Sequence, residues 1–72
     1  SSAPYVPVAC QLMDDLEWLV RSGTPIRVWF RDSEDCPRET QGVPQDLLTK
    51  DKEEFLVIGE VRIRLDRISR VQ

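Results

Sequence analysis

Two apolar runs, Phe55-Leu56-Val57-Ile58 and Val61-Arg62-Ile63-Arg64-Leu65, stand on either side of Gly59-Glu60. A two-residue connection between such runs is the kind that closes a tight hairpin, so antiparallel β-structure is written into the C-terminal half of the chain. A second strand signal comes earlier. After Thr24-Pro25, Ile26, Val28 and Phe30 alternate with Arg27, Trp29 and Arg31, the period of a half-buried strand.

A helix precedes these strands. Leu12, Met13, Leu16, Leu19 and Val20 recur at helical spacing and form one stripe, and Gly23 supplies a C-terminal stop, so the pattern predicts a helix over about residues 11–22. Before it, Pro7 biases Val6 away from helix, and residues 5–10 read as an extended lead-in. Residues 1–4 are expected to be frayed. Asp32 to Pro37 is acidic and ends in proline, as a loop would. A strand over 38–43 should follow, with Gly42 and Pro44 as its interruption, and Leu65, Ile68 and Val71 suggest a last short strand. The expected core comprises Leu16, Leu19, Val28, Phe30, Val57, Ile63 and Leu65.

One helix and about five short strands in 72 residues fit a single domain, near the lower end of what closes a core without metals or several disulfides. The fold class is α+β and mainly β: a strongly bent sheet or partly open barrel with the helix over one opening. A hydrophobic fraction of 40% beside a charged fraction of 32% suits a globular domain better than a disordered tail. No apolar run approaches the roughly 20 residues of a membrane helix, and no basic segment precedes a signal-like stretch, so a soluble, cytoplasmic protein is expected.

Several chemistries are disfavoured. There is no histidine, which removes the commonest general base at neutral pH and any Ser-His or Cys-His pair. The carboxylates lie in charged stretches with nothing evident to shift them, so an enzyme is not expected. Cys10 and Cys36 lack a second thiol nearby for a structural zinc, and free thiols are expected, with Cys10 as a small buried apolar residue. No cofactor is implied. Gly42 and Pro44 do not have the spacing of a phosphate-cradling loop.

The pieces Tyr5-x-Pro7-Val8-x-Cys10, Asp14-x-Leu16-Glu17, Asp46-Leu47-Leu48, Phe55-Leu56-Val57 and Arg64-Leu65-Asp66-Arg67-Ile68 occur in this order. As a series they resemble the Rof family, the Rho-binding antiterminators of bacteria, over nearly the whole chain. The resemblance implies an Sm-like fold, an N-terminal helix followed by a strongly bent five-stranded antiparallel sheet. It also implies binding to the transcription terminator Rho at its primary RNA-binding domain, which reduces Rho-dependent termination. The sequence departs from the family pattern at Gln11 and Leu12, where acids can stand, in a longer 32–37 loop, and in a shorter turn at Gly59-Glu60.

Two surfaces compete as the binding site. On a helical wheel Asp14, Trp18 and Arg21 fall opposite the apolar stripe, with Asp15 and Glu17 on its flanks. An exposed tryptophan among carboxylates suits a protein interface, and Asp14, Asp15, Glu17 and Trp18 are the expected partner contacts; the plainer alternative is a solvated face with Trp18 as a lid. Residues 1–20 carry three acids and no base, and residues 32–54 carry eight acids against three bases. Such a surface repels phosphate and fits a basic cleft, so a competitor of RNA is favoured over a binder of it. The rival reading is an Sm-like RNA-binding module using Arg62, Arg64, Arg67 and Arg70, with an acidic adaptor for another protein as a third. Arg62 and Arg64 are expected instead to pair with acids such as Glu53 or Glu54. Asp66 is expected to be structural, at a sharp bend. Trp29 is left between a partner contact and a helix contact. Neither membrane nor small-molecule substrate is expected.

Overall fold

The computed structural model describes residue 8 and residues 10–72. The expectations of frayed residues 1–4 and of an extended lead-in fall, apart from Val8 and Cys10, outside the described residues. Helix α1 spans Cys10–Ser22 and is followed by β1 (Ile26–Arg31), β2 (Pro37–Gly42), β3 (Pro44–Lys50), β4 (Glu53–Ile58), β5 (Val61–Arg64), a single 3-10 turn (Leu65–Arg67) and β6 (Ile68–Val71).

The apolar stripe explains how α1 sits. Leu16 is fully buried, and Leu12, Met13, Leu19 and Val20 pack half-buried around the same core. Gly23 stops the helix at φ 70°, its N–H donating to the Leu19 carbonyl at 3.1 Å, a conformation that costs glycine nothing. Cys10 is exposed, not buried as expected, because it opens the helix off the line of the stripe.

The strands form two antiparallel three-stranded sheets, ordered β2-β1-β6 and β3-β4-β5. Only Val43 separates β2 from β3, so residues 37–50 pass from one sheet to the other across that point. Gly42 has φ 157°, and a Cβ there would lie 3.0 Å from Ile58 Cγ2, so the two sheets converge where only hydrogen fits comfortably. Six strands stand where the pattern predicts about five, and β3 is the added one. Pro44 begins a strand instead of interrupting one; β3 is the edge of its sheet, where a missing N–H removes no ladder bond.

Both sheets and the helix share one core. It contains Leu16, Ile26, Val28, Leu56, Ile58, Ile63 and Leu65, each worth about 1.5–3 kcal/mol of apolar burial. Leu19 and Phe30 lie half-buried against it. Val57 is a correction: Leu56 and Ile58 take the inward positions of β4 and alternation turns Val57 away. The expected Gly59-Glu60 hairpin is present, pairing Ile58 with Val61, with Gly59 at φ 61°. Strand β5 ends at Arg64, one residue before the expected limit, because Leu65 opens the 3-10 turn. No helix among the described residues is long and apolar enough to cross a membrane.

Candidate functional site

The four residues proposed as partner contacts all lie on the solvent side of α1. Asp14, Asp15 and Glu17 are exposed, and Trp18 is 62% exposed, a large apolar surface left in water. Gln11 Nε2 donates to Asp15 Oδ1 at 3.0 Å, one turn away, which holds that carboxylate against the helix. The helix splits the group in two. Asp15 and Trp18 border a groove of about 560 Å³ between α1 and β6, floored by Leu16, Leu19, Ile26 and Val71. Asp14 and Glu17 lie outside that groove.

The four arginines of the rival surface are not drawn together as a stripe. Arg62 is exposed on β5. Arg64 is buried: Nε lies 2.6 Å from Asp66 Oδ1, Nη2 lies 2.8 Å from Asp66 Oδ2, and Nη1 reaches Glu53 Oε1 at 3.4 Å. The bonds it donates to Asp66 are the main reason its pKa is raised above the ordinary arginine value. Arg64 is therefore not available to the rival surface as an exposed cation, and its expected pairing with Glu53 is found. Sequence alternation failed there because Ile63, Arg64 and Leu65 are buried in succession where the strand turns into the 3-10 helix. The bend expected at Asp66 is that turn.

Arg67 is bound by the β1–β2 loop, with Nη2 donating to the Asp32 carbonyl at 3.2 Å and standing 3.6 Å from Asp35 Oδ1. Asp32 organises this loop. Its Oδ1 accepts the N–H groups of Glu34 and Cys36 at 2.9 and 3.0 Å, and its Oδ2 accepts Arg38 Nε at 2.8 Å. The Arg38 bond, then the Cys36 N–H, hold the Asp32 carboxyl below its usual range, and the bond to Asp32 raises Arg38 in turn. The longer loop is thus an ordered Asx-type turn, with Asp35 at φ 62°.

Arg70 and Arg27 lie over the Trp29 ring, with guanidinium carbons 5.0 and 5.8 Å from its centroid. Arg27 also pairs with Glu39 at 2.9 Å. Trp29 therefore meets its own arginines on the outer face of the β2-β1-β6 sheet. The alternation of β1 placed Trp29 on that face; nothing local announces Arg70, which reaches it through an irregular register between β1 and β6.

A second cleft, of about 740 Å³, lies between the sheets, with Phe30 and Phe55 in its lining and Arg31, Arg38, Arg62 and Arg67 around them. Arg31 donates to the Asp35 carbonyl at 2.8 Å, so most of this positive charge is tied to neighbouring acids and loop carbonyls. No protein-family model matches this chain, and no curated protein or solved structure matches it either.

Proposed function

We propose that this chain is a non-enzymatic, cytoplasmic binding module that occupies the primary RNA-binding domain of Rho, competes with RNA there and so reduces Rho-dependent termination. The observation that carries the reading is the exposure of Trp18 among Asp14, Asp15 and Glu17 on one helix. Tryptophan fills pockets at protein interfaces, and carboxylates around it meet the lysines and arginines of a cleft built for phosphate. The engagement of Arg64 and Arg67 within the domain weakens the rival reading, since those guanidinium groups are committed to Asp66, Glu53 and the β1–β2 loop.

The fold is compatible with an Sm-like one. Counting β2 and β3 as one strand bent at Val43 leaves five strands, and their neighbour order becomes β6, β1, the bent strand, β4 and β5. The series of motifs that resembles the Rof family supports both parts of the proposal.

Electrophoretic mobility of a labelled RNA, with and without Rho, tests it. The chain alone should leave the RNA unshifted near physiological salt, and added to a Rho–RNA complex it should release the RNA. Submicromolar RNA binding by the chain alone, lost when Arg62→Glu is introduced, would replace this reading with the RNA-binding one.

A further inference from the structure

We propose that the groove between α1 and β6 is the interface of a two-fold dimer of this chain, in which Trp18 of each copy enters the groove of the other and Asp15 of each meets Arg70 of the other. The dimer goes beyond the preceding reading, and only its consequence for Rho rests on that reading. A knob and a hole stand side by side on one face. Trp18 leaves most of its indole in water at 62% exposure, an apolar surface that gains free energy when something covers it. The groove it borders holds about 560 Å³ and is floored by Leu16, Leu19, Ile26 and Val71. That volume falls within the range of pockets that bury small ligands, so an indole fits.

Charge selects a second copy as the occupant. Asp15 stands on the α1 wall and Arg70 on the β6 wall, both exposed, and neither makes an ion pair among the described residues. A two-fold axis along the groove lays α1 of each copy against β6 of the other. The Asp15 wall then meets the Arg70 wall twice, and both pairs attract. A groove with walls of one sign would repel its own copy in this arrangement and call for a partner of opposite charge. The contact is small. Specific interfaces begin near about 1,000 Å² in total, on the order of 500 Å² from each copy, against 5053 Å² exposed by the whole chain. One groove and one exposed indole place the dimer at that low end, so it forms and parts with concentration. It also buries Trp18 and Asp15, two of the residues proposed to meet Rho, which leaves the monomer as the form that binds Rho.

Analytical ultracentrifugation of the full chain over a concentration series tests the dimer, with circular dichroism confirming the fold of each variant. The wild type should pass from monomer to dimer as concentration rises. Asp15→Arg and Arg70→Asp each set like charges across the interface and should weaken self-association at least tenfold. Mixed in equal amounts, these two variants complement each other at both pairs, and association should return. Trp18→Ala alters neither charge and should weaken association to a similar degree, which keeps the test open if Arg70→Asp unfolds the domain. A wild type that stays monomeric up to millimolar concentration, or a mixture no more associated than its parts, would overturn the inference. Rho titrated into the dimer should dissociate it, and Rho complexes that hold the dimer intact would overturn the masking of Trp18. A chain that dimerises but does not bind Rho removes only the preceding reading. A chain that binds Rho but never dimerises removes only this one.

Discussion

The Arg64 guanidinium meets the Asp66 carboxylate two residues along the chain in a two-bond fork, with both side chains almost out of solvent at 8% and 7% exposure. Planar pairing of this kind satisfies two donors and both oxygens, and it fixes the turn that carries the chain from β5 to β6. Glu53 joins it from β4 but is 34% exposed.

Replacing only one member should therefore cost far more than replacing the exposed one. Arg64→Met leaves the buried Asp66 carboxylate without its guanidinium and should lower stability by about 3 kcal/mol. Glu53→Gln should cost under about 1 kcal/mol. The double change Arg64→Met with Asp66→Leu should recover much of the loss, since no charge then remains buried. Urea unfolding of the three variants checks the order.

The β1–β2 loop should fail in acid. The folded pKa of Asp32 is below its unfolded value, so its contribution is complete above about pH 4 and disappears as pH falls through the lowered folded value. The amide signals of Glu34 and Cys36 should move together in that window. Asp32→Asn should remove the window while keeping the acceptor for those N–H groups, and Asp32→Ala should disorder the loop at every pH. Loop signals that titrate unchanged in Asp32→Asn would assign the transition elsewhere.

The turn between β3 and β4 holds room for improvement. Asp51 and Lys52 both have positive φ, 53° and 65°, the geometry of a type I′ hairpin turn, which favours Asn-Gly. Lys52→Gly with Asp51→Asn should stabilise the domain by about 1 kcal/mol and raise Tm by roughly 4–8 °C. Calorimetric melting is the measurement, and an unchanged or lower Tm would show that these side chains compensate for the strain.

Asp14→Lys with Glu17→Lys should abolish Rho binding and leave the fold within about 0.5 kcal/mol, since both positions are exposed. Close charge pairs couple by about 1.5–7 kcal/mol, and reversal makes them repel. Trp18→Ala should cost about 2 kcal/mol or more of affinity. Titration calorimetry at two salt concentrations reads both, with wild-type affinity falling as salt rises. Undiminished affinity in the double reversal would move the interface to the acidic 32–54 region.

What could be read from the sequence follows how local each signal was. The helix and β1 carry clean periods, 3.6 and 2, so their limits came within a residue of those found. Strand β3 has no such period: Gln45, Asp46 and Thr49 are exposed around a half-buried Leu47-Leu48 pair, and the proline in front reads as a stop. Phe55-Leu56-Val57-Ile58 announces a strand without a phase, so nothing in the run itself distinguishes the outward Val57 from the inward Leu56 and Ile58. The exposed acids and Trp18 were legible because a helix fixes opposite faces by spacing alone. Arg70 on Trp29 and the Asp32 network depend on strand register and loop path, which no short window contains.

The bend at Gly42 and Val43 gives residues 37–50 membership of two sheets at once. A slip of register in β2 against β1 would drag β3 along β4, so each ladder locks the other's alignment. The two hairpins should consequently open as one cooperative unit, with slowest-exchanging amides in β1 and β4 released at the same free energy.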